Sequence, residues 1–121
     1  MTTFDASRYR ILCVDDEPNI LSALRRMLSM QGYQVGVAET GSAALQMLGQ
    51  EKYDVIICDM RMPQMTGVEV LEQACKLSPL TMRLLLTGAA DHQDTIEAIN
   101  RGQVYRYLGK PWNDAELLAV I

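Results

Sequence analysis

Residues 53–63, which read YDVIICDMRMP, decide the fold of this chain. Within them, residues 55–58 are a short, continuous apolar run with β-branched side chains and no alternation with polar residues. This pattern is typical of a strand that is buried on both faces of a parallel sheet. Asp59 follows the run directly. Because ligands of open α/β sheets bind in the crevice outside the carboxyl ends of the strands, its position predicts that Asp59 is the reactive residue.

The composition is that of one globular domain. The chain has 121 residues, of which 49% are hydrophobic and 21% are charged, enough to bury a core of its own. A net charge of −4 argues against direct binding to nucleic acid, which requires clustered Lys and Arg. The chain has neither an apolar run of about 18 residues nor a signal peptide pattern, so we expect a cytoplasmic protein without membrane contact.

Three cysteines, Cys13, Cys58 and Cys75, occur without the spacing of a metal site. We expect them to be reduced, buried residues, because an odd number in a chain of this composition does not form a disulfide framework. His92 is the only histidine, and we expect it to be solvated in a loop.

Apolar runs and helix signals alternate along the chain, giving five strand–helix units. The predicted strands are residues 8–14, 34–38, 55–58, 82–86 and 104–108. The predicted helices begin at Pro18, at Gly41, at the capping-box sequence TGVE of residues 66–69, near residue 91 and at Asn113. We therefore predict an α/β fold, a flavodoxin-like (βα)₅ doubly wound parallel sheet with strand order 2-1-3-4-5.

Two of these elements have weak signals. The fourth helix, residues 91–100, has few apolar anchors, and the fifth strand alternates apolar and polar residues as an edge strand does. The last helix has no stop signal. We accordingly expect residues 1–121 to be the N-terminal domain of a longer protein, with the last helix truncated.

Acidic residues follow two strands that meet at the switch point of this topology. Asp15 and Asp16 follow the first strand, and Asp59 follows the third. Three carboxylates at one rim repel each other unless a cation lies between them, and oxygen ligands with room for water suit Mg²⁺. An acidic nucleophile beside Mg²⁺ favours phosphoryl transfer through an aspartyl phosphate.

The fourth and fifth strands end at residues that complete such a site. The Thr87 hydroxyl is suited to hydrogen-bond one phosphoryl oxygen, and the Lys110 ammonium is suited to pair with another. In this arrangement Asp59, Thr87 and Lys110 carry the chemistry.

An acid pair, a single acid, a hydroxyl and a Lys-Pro pair, in this order at strand ends, resemble the receiver domain of two-component response regulators. The resemblance covers nearly the whole chain. It implies that Asp59 is the phosphoacceptor and that Asp16 and Asp59 ligate Mg²⁺ directly. Asp15 would act mainly through water, and the backbone carbonyl of Arg61 would complete the protein ligands.

The same resemblance assigns roles at the fourth and fifth strands. Thr87 and Tyr107 would be the switch pair, and Lys110 the phosphate contact. The Lys110–Pro111 peptide bond corresponds to the cis bond of the family.

By this resemblance the chain takes a phosphoryl group from the phosphohistidine of a sensor histidine kinase or of a phosphotransfer protein. The surface of helix 4, strand 5 and helix 5 would then change, forming a homodimer or controlling a covalently joined output domain. Residues 100–112 are similar to receivers joined to HD-GYP or AAA+ domains. The chain would be a signalling phosphoacceptor, with self-catalysed phosphoryl transfer and autodephosphorylation only, and not a turnover enzyme.

Other interpretations remain open at this stage. Asp15 or Asp16 taken alone could merely cap a helix. The chain could be a phosphorylation-independent interaction module with the same fold. A haloacid-dehalogenase-type phosphatase also uses a strand-end Asp and Mg²⁺, but it needs a second Asp two residues later, where this chain has Arg61.

Overall fold

The computed structural model describes residues 5–88, 106–110 and 112–121. Its five parallel strands are β1 Arg10–Val14, β2 Gln34–Ala38, β3 Val55–Asp59, β4 Met82–Thr87 and β5 Arg106–Gly109. They form one sheet in the order β2-β1-β3-β4-β5, which confirms the predicted topology. The helices are α1 Pro18–Met30, α2 Gly41–Gln50, α3 Gly67–Leu77 and the C-terminal helix Asp114–Val120. The predicted helix at residues 91–100 and the start of the predicted fifth strand lie outside the described residues.

Successive residues of the central strands enter two different cores, because side chains alternate across a sheet. One core contains Leu12 and Ile56 and is covered by α2 and α3. The other contains Ile11 and Ile57 and is covered by α1 and the C-terminal helix. All five residues of β3 are buried, as expected for the centre of a doubly covered sheet.

The helix starts are fixed by side-chain caps. Thr66 and Glu69 form the predicted capping box at α3: the Thr66 hydroxyl accepts from the Glu69 amide, and the Glu69 carboxylate accepts from the Thr66 amide. The Asn113 side chain accepts from the Glu116 amide at the start of the C-terminal helix. None of the helices in the described ranges combines the length and the apolar character needed to cross a lipid bilayer.

The first strand is shorter than predicted. It begins at Arg10, because a 3₁₀ turn, Ala6–Arg8, occupies the preceding residues. The Asp5 carboxylate caps this turn by accepting from the Ser7 amide. The third and fourth strands are one residue longer than predicted, and Asp59 and Thr87 are their last residues.

Candidate functional site

Lys110 joins two of the predicted acids at the carboxyl edge of the sheet. Its Nζ lies 2.9 Å from Asp15 Oδ2 and 2.8 Å from Asp59 Oδ1. Asp15 is fully buried, Asp59 is 6% exposed, and the Lys110 side chain is 20% exposed. The structure therefore brings together the carboxyl ends of β1, β3 and β5 as one largely buried polar cluster.

The Asp15 carboxylate is held from two sides. The backbone amide of Asp15 donates to the Ala38 carbonyl at 3.2 Å, which extends the pairing of β1 with β2. Its Oδ1 accepts from the Glu17 amide at 2.9 Å, at the entrance of α1, and its Oδ2 accepts from Lys110. Asp15 thus accepts from the amide of the residue that precedes α1 and also forms the buried ion pair; among the described residues, no side chain caps α1 itself.

The position of Asp59 depends on a close approach between β3 and α3. The Met60 amide donates to the Leu86 carbonyl at 2.9 Å, and the Met60 carbonyl accepts from the Gly67 amide at 2.8 Å. A Cβ atom on Gly67 would collide with the Asp59 carbonyl oxygen and lie 2.9 Å from Met60 Cα. Glycine therefore allows α3 to start this near to the end of β3, where Asp59 lies.

Thr87 anchors the fifth strand at the same rim. The Lys110 amide donates to its carbonyl at 2.7 Å, just after Thr87 pairs in register with Gly109. The Thr87 residue is 7% exposed. Because this backbone contact fixes Lys110 next to the end of β4, the hydroxyl-bearing residue and the cation predicted from the sequence lie on adjacent strand ends.

Burial raises the pKa of the Asp59 carboxyl above its usual range; the Lys110 ammonium opposes this shift, and the negative charges of Asp15 and Asp16 add to it. Burial lowers the pKa of Lys110, but its hydrogen bonds to Asp59 and Asp15 more than offset this, so its pKa is raised. Lys110 therefore keeps its positive charge, whereas ionisation of the neighbouring Asp59 carboxyl is disfavoured. Further positive charge at Asp59 would be favourable.

Three adjacent acids could hold a metal ion: carboxylate oxygens of Asp15, Asp16 and Glu17 lie within 4.8 Å of one another. Asp16 and Glu17 are exposed, so they have access to water and ions. An all-oxygen set of this kind fits Mg²⁺. Glu17 is not among the predicted ligands, although it directly follows the acid pair in the sequence.

The remaining predicted residues lie in several environments. Arg61 is exposed on the loop after β3. Tyr107 belongs to β5 and pairs in register with Leu85, but its side chain is outside the described part of the structure. Pro111 and His92 are also outside it. Cys13 and Cys58 are buried thiols, and Cys75 is half-buried. Burial raises the pKa of Cys13 to about 12.

Comparisons with known proteins agree with this geometry. The response regulator receiver domain family matches residues 11–121. The hydrogenase transcriptional regulatory protein HoxA of Cupriavidus necator is 34% identical over 111 residues, which are 92% of this chain but 23% of HoxA. The chain therefore spans about a quarter of the length of this relative.

Two solved structures are also similar. The signal receiver domain of an HD domain-containing protein from Pseudomonas fluorescens Pf-5 has a TM-score of 0.89 and 38% identity, and the match covers 99% of this chain and 87% of that one. A response regulator from Burkholderia pseudomallei, solved with a phosphorylated aspartic acid, a calcium ion and citrate, has a TM-score of 0.85 and 31% identity. That match covers 92% of this chain and 65% of the other.

Proposed function

This chain belongs to the response regulator receiver family of two-component systems, and we propose that it is a phosphoacceptor switch in which Asp59 receives a phosphoryl group from a phosphohistidine. The donor would be a sensor histidine kinase or a phosphotransfer protein. The observation that carries this proposal is the cluster in which Lys110 Nζ lies within hydrogen-bonding distance of both Asp59 and Asp15. This geometry supports the proposal because a carboxylate, an ammonium and a second carboxylate lie together at the carboxyl edge of the sheet.

In the proposed step an Asp59 carboxylate oxygen forms a bond to phosphorus while the bond between phosphorus and the donor histidine nitrogen breaks. Lys110, at 2.8 Å from Asp59 Oδ1, is close enough to pair with a phosphoryl oxygen once the acyl phosphate has formed. Asp15 Oδ2 keeps the ammonium oriented toward this place. The Thr87 hydroxyl, on the adjacent strand end, would donate to another phosphoryl oxygen.

We propose Mg²⁺ as the cofactor, with Asp16 and Asp59 as direct ligands, Asp15 acting through water and the Arg61 backbone carbonyl as a further ligand. When bound, Mg²⁺ would neutralise negative charge on the transferring group. The raised pKa of Asp59 supports a cation here, because burial and, to a smaller extent, the charges of Asp15 and Asp16 disfavour its ionised form. The Burkholderia relative, whose structure holds both a phosphorylated aspartic acid and a divalent ion, supports the same combination.

The proposed output is a change of surface. Phosphorylation would draw Thr87 inward and allow Tyr107 to fill the space, which shifts residues 91–100, β5 and the C-terminal helix. That surface would form a homodimer or control a joined output domain. HoxA, a transcriptional regulator about four times as long, and the HD domain-containing Pseudomonas protein show two settings in which similar receiver sequences occur. A cytoplasmic location fits this role and stays a prediction.

The proposal is tested by phosphorylation with a small-molecule donor. The chain is incubated with acetyl phosphate, with and without Mg²⁺, and its intact mass is measured beside the Asp59→Asn variant and the matched control Asp54→Asn, which changes an acid at the other end of β3. We expect one phosphoryl group on wild type and on the control, only with Mg²⁺, and none on Asp59→Asn. No labelling of any folded form would instead favour the phosphorylation-independent interaction module, and turnover of added phosphomonoesters would favour the phosphatase.

A further inference from the structure

One residue in the loop after β3 has a strained backbone conformation. Gln64 has a φ of 73°, and in the described ranges no other residue except a glycine has a positive φ. The Met65 amide donates to the Pro63 carbonyl at 2.8 Å, which closes a three-residue turn centred on Gln64. A turn with this hydrogen bond and this φ is the rare, strained form of the γ-turn.

The side chain of Gln64 does not impose this conformation. Pro63 and Gln64 are both exposed, and within the part of the chain that the structure describes the Gln64 side chain forms no hydrogen bond. An unfavourable backbone conformation persists only where the surrounding structure determines it. The segments on either side of Gln64 must therefore hold the turn.

The loop that contains Gln64 is fixed at both ends by backbone hydrogen bonds. The Met60 amide donates to the Leu86 carbonyl at 2.9 Å, and the Met60 carbonyl accepts from the Gly67 amide at 2.8 Å. The capping box of Thr66 and Glu69 fixes the point at which α3 begins. The chain between Met60 and Gly67 is thus a closed loop whose ends lie side by side.

Two methionines anchor the middle of the loop. Met62 and Met65, on either side of the turn, are partly buried and pack against the core that α2 and α3 cover. A Cβ atom on Gly41, the first residue of α2, would lie 3.0 Å from Met65 Sδ and 3.2 Å from Met65 Cβ. Met65 therefore fills the space beside this glycine. The tight turn at Gln64 shortens the path between the two methionines, so both side chains reach the core.

Arg61 lies between two of these fixed residues, Met60 and Met62. We infer that Gln64 is a positioning residue for the proposed Mg²⁺ site: its turn keeps Met62 packed and thereby fixes the backbone of Arg61, whose carbonyl is a proposed ligand. This inference rests on the proposed function and deepens it. Residues that support metal ligands commonly change metal affinity by about 10–100-fold when they are replaced.

The test measures Mg²⁺ affinity without phosphoryl transfer. A ligand that binds only the folded chain raises the free energy of unfolding, so urea denaturation across a Mg²⁺ titration gives the Kd. Four variants separate backbone conformation from side-chain polarity. Gln64→Gly and Gln64→Asn tolerate a positive φ, whereas the β-branched Gln64→Thr and Gln64→Val do not.

We expect the Gly and Asn variants to keep the wild-type Kd within about twofold, and the Thr and Val variants to raise it about tenfold. Gln46→Val is the matched control, because Gln46 is exposed on α2, and this change should leave the Kd unchanged. Circular dichroism and urea denaturation without Mg²⁺ show whether each variant is folded.

The same Kd for all four folded variants would overturn the inference. A Kd that follows polarity, with Asn like Thr and Gly like Val, would also overturn it, as would a wild type that Mg²⁺ does not stabilise. The proposed function fails separately. If Mg²⁺ affinity follows the expected order but acetyl phosphate does not label Asp59, the positioning role of Gln64 stands and the phosphoacceptor role does not.

Discussion

Replacing Gly67 by alanine tests how closely α3 approaches the end of β3, where Asp59 lies. The added Cβ would collide with the Asp59 carbonyl oxygen and approach Met60 Cα to 2.9 Å and Leu85 Cδ1 to 2.9 Å. Two of these three atoms belong to the backbone, so no side-chain rotation can relieve the contact. The start of α3 must move away from β3, although the capping box at Thr66 and the hydrogen bond from Gly67 to Met60 oppose this movement.

The expected cost follows from two opposing effects. Overpacking a well-filled site costs about 1–3 kcal/mol, whereas alanine in place of glycine favours a helix by up to about 1 kcal/mol. Because Gly67 is the first residue of α3, only part of this propensity gain applies. We expect the free energy of unfolding to fall by about 2 kcal/mol and the melting temperature to fall by about 8 °C.

Gly49→Ala is the matched control. Gly49 lies in α2, and a Cβ there would meet nothing within 4 Å. The same chemical change should therefore raise the free energy of unfolding, by up to about 0.5 kcal/mol, through helix propensity and lower chain entropy when unfolded. Urea denaturation followed by circular dichroism measures both variants. If Gly67→Ala were as stable as wild type, or if both variants shifted in the same direction, the close approach of β3 and α3 would be refuted.

Two further substitutions and one thiol titration probe the polar cluster and the core. Lys110→Met should lower the free energy of unfolding, measured by urea denaturation, by about 2 kcal/mol. This is less than the loss of a fully buried ion pair would cost, because the Lys110 side chain is 20% exposed. An unchanged free energy of unfolding would contradict the buried pairing. Folding raises the pKa of Asp59, so ionisation of this carboxyl favours the unfolded chain. The Asp59→Asn variant should therefore be more stable than wild type at pH 7. This difference in stability should vanish as the pH falls below about 4, where the carboxyl is protonated in both states. When the thiols are titrated with an aromatic disulfide at pH 8, Cys75 should react in the folded chain. The buried Cys13 and Cys58 should react only at the rate of unfolding. Rapid reaction of all three cysteines would show that the strands are not buried as described.

Much of the fold can be predicted from the sequence because the local helix and strand patterns agree with the burial that the whole fold requires. The continuous apolar run before Asp59 predicts a doubly covered strand, and all of β3 is buried. The TGVE sequence predicts the start of α3, and Thr66 and Glu69 form both bonds of the capping box there. The start of β1 is predicted less well, because the Asp5 cap that creates the 3₁₀ turn is a local polar contact within a segment that has no hydrophobic period.

The site is predictable in its residue types but not in its contacts. The positions of Asp15, Asp59 and Lys110 at strand ends follow from the pattern of the sequence and from parallel pairing. Lys110 Nζ forms ion pairs with both Asp59 and Asp15, and Asp15 is 95 residues away in the sequence. These contacts depend on the strand register and on the depth of burial, which cannot be predicted from the sequence pattern. Glu17 was missed for a related reason, since its distance from its neighbours is set by the turn into α1.

The most direct measurement of the central claim identifies the residue that carries the phosphoryl group. The chain is phosphorylated with acetyl phosphate and Mg²⁺, and it is then reduced with borohydride, which converts an aspartyl phosphate to homoserine; the peptides are sequenced by mass spectrometry. We expect homoserine in place of Asp59 in a Mg²⁺-dependent yield, with Asp15, Asp16 and Asp54 unchanged. Homoserine at another acid, or phosphate that resists reduction on a hydroxyl side chain, would contradict the assignment of Asp59 as the phosphoacceptor.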